Sequence, residues 1–537
     1  MFNWIKNLFE NNKEDQLVEW KTEDSIFKFI QLNINEEGRL KEEANDLPDK
    51  KHDNDDQIRF APGLLDSIYG PDNSDESRVE VAELIKLIKR ISEYGDKNSE
   101  AKFYQKVTSK DAAISIIDAF LETANNLSLP ISPYLFNFSK NLAFKTNNRN
   151  SVKFGIALLG ICRNNSLIHE LKIIGLHDEF TLFALVAIVN LRDNAINDLW
   201  EMAKMVDGWG KIRLVGHIVK MEISDEVKDW LISDGYKNEI MYEYLAYECA
   251  VKGNLHEKLE RENISSVLFK SASEMISALI TGGPAEDISV YQHASITIEN
   301  FVRHAKQYAE DISDFITLNN IKNYLIELQE NNTEQLKNGW AQNAISNCII
   351  DIINLTNRSD WPVKAMIALN SSNNQNYWDG KQAAKMLNID IWEIVWRKLQ
   401  HNPLDSSLWY DVVNQDKPEM VDTIIEFAIK TIPLKELSTG PKDSLGLGPS
   451  FSLYEGFDYV ITFLENYPGK GEEIILTALD SPITRNRNMV IKVLKKWGKE
   501  FWSKDVVAKI LKLKIIEPNK NLKNNIERLL NGQELEY

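Results

Sequence analysis

An all-α chain, and within that class an α-solenoid of stacked helix pairs, is the fold that these 537 residues predict. Three observations carry the expectation. Apolar residues recur at i, i+3, i+4 and i+7 through most windows after about residue 60. The strict alternation that marks a half-buried strand is scarce. One helix pair also returns about every thirty residues, the signature of a repeat architecture whose core grows lengthwise.

Taken in order, residues 2–9 place Phe2, Trp4, Ile5, Leu8 and Phe9 on roughly one helical face. Such a face suits docking on the rest of the chain, or weak contact with a membrane surface. Glu10, Glu14 and Asp15 beside it oppose anionic lipid. The apolar run is too short for a secretory signal and lacks a small-residue cleavage site. KEEANDLPDKKHDNDDQ, residues 41–57, reads as a charged linker, so 1–57 forms an N-terminal segment.

VEVAELIKLIKRISEYG, AAISIIDAFLETANNL, SVKFGIALLGICR and EFTLFALVAIVNL then follow the 3.6-residue period. Self-similarity is clearest from residue 151: SVKFGIALLGICR starts there, HDEFTLFALVAIVN at 177, GWGKIRLVGHIVK at 208 and NEIMYEYLAYECAVK at 238, at offsets of 26, 31 and 30. The shorter helices IHELKIIG, AINDLWEMAKMVD, SDEVKDWLISDGY and NLHEKLERENI alternate with them. A single pair has too little apolar face to form a core, so neighbours must stack.

The glycines of VDGWGK raise the alternative of a phosphate loop, which needs a preceding strand and several backbone N–H groups converging on one point. Neither is present in the pattern. Gly208 fits a left-handed position after a helix ending near Asp207, Gly210 a close helix approach, and Trp209 a space between layers. A first helical-repeat region is expected over 58–280, ending at TGGPAED (281–287), and a second over 281–437. The Gly/Pro-rich stretch STGPKDSLGLGPSF makes 438–451 a long loop, lying across a groove or marking an insertion, with Lys442, Asp443 and Ser444 its polar groups. Helical repeats with a basic end occupy 452–537.

LDSPITRNRNMVIKVLKKWG, residues 479–498, resembles a HEAT or armadillo-type repeat: helix, proline-bearing turn, apolar second helix. That resemblance implies a scaffold fold, with Asp480 and Arg485 or Arg487 as candidates for the residues that bridge layers in such repeats. SVKFGIALLG, DEFTLFALVAIVN, VDGWGKIRLVGHIV and SPITRNRN together resemble a bacterial family that carries the name limonene hydroxylase, over most of residues 60–500. The name implies an NAD(P)H-dependent monooxygenase acting on a monoterpene, but no catalytic residue transfers with it.

The chemistry of the residues points elsewhere. Oxygen activation calls for haem, flavin or non-haem iron. Cys162, Cys249 and Cys348 lie in apolar helical patterns without the spacing of a haem loop, zinc site or disulfide framework, and GLGPSF lacks the rest of a dinucleotide fingerprint. His169 and His177, with Asp178 and Glu179, form the densest metal-capable cluster, but at no known ligand spacing; carboxylates there suit a helix N-terminus. No cofactor is expected, and three unpaired cysteines with no 20-residue apolar run suggest a cytoplasmic protein.

Net charge is −18, against nucleic-acid binding by the whole chain, although 1–100 carries 24 acidic and 14 basic residues while 485–528 carries 13 basic and 4 acidic. Arg485 and Arg487, followed by Lys492, Lys495, Lys496 and Lys499, are candidates for phosphate contacts or a solvated face. Tyr242, Tyr244 and Tyr247 on one helix, and Trp392 and Trp396 one turn apart near Trp378 and Trp409, are candidates for aromatic anchors or inter-repeat core. The functional expectation is a non-catalytic HEAT-like scaffold that binds a protein or peptide on its concave face, using Tyr244, Tyr247, Trp392, Trp396, Arg485 and Arg487. The monooxygenase and nucleic-acid binding through the basic C-terminal helices are the alternatives.

Overall fold

The protein, seen in a computed structural model, is described here over residues 18, 20, 23–49, 61–64, 74–109, 114–127, 129–330, 340–415 and 417–536. The amphipathic 2–9 segment and residues 50–57 of the charged linker lie outside the described residues, while 41–49 docks on the helices, with Ala44 and Leu47 buried and Asp49 paired with Arg149 at 2.8 Å. Within them the fold is all-α: 28 α-helices and no strand, with two isolated bridges, Ile34 to Leu40 and Ser444 to Ile483. No described helix is long and apolar enough to cross a membrane.

The chain divides into two compact units, one of residues 1–51 and 60–361, the other of 52–59 and 362–537. The 281–287 segment is therefore a connection inside unit 1. Unit 1 begins with α1 (Ile26–Leu32), α2 (Asp75–Tyr94), α3 (Lys97–Thr108), α4 (Ile114–Asn126), α5 (Pro133–Phe144) and α6 (Arg149–Ile161). It continues with α7 (Ile168–Ile174), α8 (Asp178–Leu191), α9 (Ile196–Met205), α10 (Gly208–Ile218), α11 (Asp225–Trp230), α12 (Ala246–Lys252) and α13 (Leu255–Glu260). The last four are α14 (Ser266–Thr281), α15 (Ala294–Tyr308), α16 (Ile312–Glu330) and α17 (Gln342–Thr356).

Side-chain caps set most of the starts. Ser74, Asp96, Ser132, Asn148, Ser224 and Ser265 each accept a hydrogen bond from a first-turn N–H, and Pro133 follows Ser132 at N1. Once formed, helices pack on their second neighbours: α4 on α6, α6 on α8, α8 on α10, then α12 on α14 and α14 on α16. The two halves of each pair also touch, as α7 does α8 and α9 does α10. Gly155 makes the tightest crossing possible, because a Cβ there would lie 2.8 Å from Ala143 Cα on α5. Four fully buried rings from successive helices, Phe103, Phe120, Phe138 and Phe154, meet edge to face at 5.5–5.9 Å. Such pairs add about 0.5–1.5 kcal/mol each beyond area burial.

In unit 2, α18 (Trp361–Leu369) starts at the boundary and is followed by α19 (Asn374–Met386), α20 (Trp392–His401), α21 (Ser406–Val413), α22 (Val421–Thr431) and α23 (Leu434–Leu437). After the 438–451 loop come α24 (Ser452–Phe463), α25 (Glu472–Leu479), α26 (Thr484–Trp497), α27 (Lys504–Ile516) and α28 (Lys520–Leu530). Here too second neighbours pack, α24 on α26, α26 on α28 and α25 on α27. The core of this unit contains Trp392, Trp396, Trp409, Phe457 and Trp497.

Candidate partner-binding groove

The repeat beginning at 177 shows how the sequence shapes one face of unit 1. His177 is the N-cap of α8: its Nδ1 accepts from Glu179 N at 3.1 Å, so its Nε2 carries the proton shared with Asn45 O at 3.2 Å. Burial pushes its pKa down to about 4, against the opposing pull of Glu179. Burial likewise opposes ionisation of Glu179, but Lys153 at 2.6 Å and then Arg149 outweigh it and hold that carboxyl below its ordinary range. Asp178 points the other way, accepting from Trp209 N at 3.0 Å. Burial pushes its carboxyl up to about 7, although N–H groups of Gly210 and Trp209 favour the charge.

The glycines of VDGWGK are thereby explained. Gly208 opens α10 with φ +56°, and a Cβ on Gly210 would lie 2.6 Å from Asp178 Oδ1 and 2.7 Å from Thr181 Oγ1. The anion at this helix start is the protein's own carboxylate. Each acid and base of the 177–179 cluster is thus engaged within the chain, and His169 takes no part in it. Among the described residues no three His, Cys, Asp or Glu side chains are grouped as metal ligands. The three cysteines are buried and free, and burial pushes Cys162 up to about 11 and Cys348 to about 12, unfit as nucleophiles at neutral pH.

The C-terminal halves of α4, α6, α8 and α10 line two adjoining cavities. The first, about 640 Å3, lies between α4, α5, α6 and the end of α8; the second, about 530 Å3, between α8, α10 and α12. Asn190 lines both. It is exposed at the end of the apolar run of α8, and its amide has no hydrogen-bond partner among the described residues. Gly160 borders the first cavity and Gly216 the second, and a Cβ at Gly216 would meet nothing within 4 Å. Charges of both signs are present: Arg163, Arg213 and Lys220 against Glu122, Glu248 and Glu286, with His217 kept neutral by burial and then by Lys220. Arg213 Nε is buried without a partner.

Of the aromatic candidates, Tyr244 lines the second cavity, packed edge to face on Trp209 at 5.1 Å. Tyr242 is at the surface against Tyr236, and Tyr247 is half-buried against Tyr291, so the three are not one platform. Trp392 and Trp396 stack at 5.6 Å but are 5% and 9% exposed, which makes them core of unit 2 and not an open surface. Trp409 is buried as well, while Trp378 is exposed beneath Lys381.

The arginine pair is split. Arg487 does not reach the surface: it is fully buried, forks onto Glu517 at 2.7 Å and donates to Lys442 O at 2.8 Å, so it pins the 438–451 loop. Arg485 is one-third exposed and pairs with Asp458 at 2.7 Å beside a cavity of unit 2. Lys495, Lys496 and Lys499 bond to Gln533 O, Glu465 and Leu530 O, which spends part of the basic end on this chain. Sequence reasoning missed Asn190, Gly216 and Asp458; a polar residue ending an otherwise apolar helix was the one available signal for Asn190.

No family model, curated protein or solved structure matches the chain, and the resemblance to limonene hydroxylase gains no support from these comparisons.

Proposed function

We propose that the protein is a non-catalytic scaffold of HEAT-like helix pairs, each unit a short α-solenoid, and that unit 1 holds an extended segment of a partner protein. Packing between second-neighbour helices supports the solenoid reading, since that is how stacked pairs share a core. The observation that carries the binding role is the meeting of two cavities at Asn190, across the ends of successive helices. An amide there offers one acceptor and two donors to a passing peptide backbone, and Gly216 leaves room for that backbone in the second cavity, whereas Gly160 is taken up by close packing on Ala187. Tyr244 supplies an aromatic wall and the mixed charges supply a polar rim.

Selection of peptides from a random display library on the full chain tests this reading. Gly216→Leu puts a side chain into open space and closes the second cavity without a backbone clash. Selected peptides should lose at least about tenfold in affinity to Gly216→Leu and to Asn190→Ala, roughly 1.4 kcal/mol, while both variants keep the wild-type melting temperature to within a few degrees. Peptides that bind both variants as tightly as the wild type would overturn it.

A further inference from the structure

A cavity of about 660 Å3 in unit 2, independent of the groove above, has the size of a small-molecule site. Its lining is mixed, with an aromatic and apolar wall beside a polar one that includes Asn414, Asn466, Asp458 and Arg485. Tyr410 and Tyr459 meet edge to face at 5.3 Å, and Phe463 and Tyr467 lie at 4.8 Å, with Met489 and Leu447 beside them. Leu447 belongs to the 438–451 loop, which is pressed against Ile483: Thr484 N donates to Ser444 O at 3.0 Å, and Gly446 has φ +69° where a Cβ would clash with the Ile483 side chain. Of the two expectations for this loop, lying across a groove or marking an insertion, its contacts fit the first, since it forms one wall of the cavity.

One cation, Arg485, lines this cavity. Its position is set by a chain of buried hydrogen bonds. Ser481 Oγ donates to Asn486 Oδ1 at 2.8 Å, Asn486 Nδ2 donates to Asp458 Oδ1, and Asp458 Oδ2 accepts from Arg485 Nε at 2.7 Å. Ser481 and Asn486 are fully buried and the Asp458 side chain is 13% exposed. Only Nε is used. Among the described residues Nη1 and Nη2 have no partner, so the donors that suit a planar anion stay open. A residue held in place before its ligand arrives loses little freedom on binding.

We propose that this cavity binds a small monocarboxylate with an aromatic or apolar body, its carboxylate on the two Nη nitrogens of Arg485 and its body between Tyr410, Tyr459 and Phe463. Charge selects the anion's valence. Asp458 and Glu455 also line the cavity, so a phosphate dianion would meet two carboxylates and a single guanidinium. Glu455 is at the exposed rim and accepts from Ser406 Oγ at 3.2 Å, leaving the Arg485–Asp458 pair as the charged groups of the interior. A strongly hydrated phosphate also gains nothing from aromatic walls, whereas an aryl body does.

Ligand-observed NMR and calorimetry on the full chain decide it, with benzoate, 3-phenylpropionate and indole-3-acetate as probes, and 3-phenylpropylamine and inorganic phosphate as controls. At least one aryl carboxylate should bind with a Kd below about 1 mM, and neither control should compete. Arg485→Gln should weaken that binding at least tenfold, and Arg485→Lys, which keeps the charge but not the fork, severalfold. Because Arg485→Gln removes the partner of a buried carboxylate, Tyr410→Ala, at a half-exposed wall, provides the second variant and should weaken the probe without lowering the melting temperature. No binding by any of the three carboxylates, equal binding by the amine or phosphate, or binding indifferent to both Arg485→Gln and Tyr410→Ala would overturn the proposal.

Discussion

His177 shows what burial does to a single titratable group. Depressed to about 4 by burial, which outweighs Glu179 and the bond to Asn45 O, it accepts a proton in the unfolded chain near its ordinary 6.5 long before it does so in the folded one. Between those values the unfolded state binds more protons, so this residue withdraws stability as pH falls from about 6.5 to 4. His177→Asn keeps an N-cap acceptor and removes the titration. Urea midpoints measured from pH 7 to 4 should therefore fall more steeply for the wild type than for His177→Asn; parallel curves would contradict the neutral assignment.

The fully buried Arg487–Glu517 pair calls for a different residue-scale test. Removing one partner leaves a charge without compensation, an effect of about 3–5 kcal/mol, whereas replacing both by apolar residues of similar volume is often neutral. Arg487→Met should thus be far less stable than Arg487→Met/Glu517→Leu. None of this was legible from TRNRN, because an arginine's burial depends on an acid that arrives 30 residues later. Local spacing showed a basic helix; only packing separated Arg487, inside, from Arg485, at a cavity.

At the scale of elements the sequence was more informative. The repeats read at 151, 177 and 208 became α6, α8 and α10, and the shorter helices between them became α7, α9 and α11. The fourth did not form one helix: Tyr242–Tyr244 make a 3-10 turn before α12, which separates Tyr242 from Tyr247. Periodicity states which face is apolar but not what covers it, so Trp392 and Trp396 could not be told from an open platform in advance.

Two glycines on the same pattern separate packing from vacancy. Gly155→Ala forces Cβ into the backbone of α5 and should cost about 1–3 kcal/mol, while Gly216→Ala meets open space and should gain about 0.5–1 kcal/mol from helix propensity. Denaturant midpoints should move in opposite directions; a shared direction would contradict the placement of α6 on α5 or the open space at Gly216.

For the whole molecule, two separate cores matter more than length. Each unit buries its own cluster, so Phe154→Ala, which removes a ring from the four-ring contact of unit 1, should cost about 3–5 kcal/mol and lower a calorimetric transition assigned to that unit. The boundary at 361 was not legible, because the polar turn 357–360 and the first-turn Pro362 that open α18 resemble the joint before α5, where Pro133 starts a helix inside unit 1.

The binding claim for unit 1 is tested most directly by hydrogen exchange on the full chain with and without a display-selected peptide. The account predicts slowed exchange near the ends of α8 and α10, around Asn190 and Gly216, with residues 452–467 unchanged. Protection confined to other surfaces, or none at saturating peptide, would contradict it.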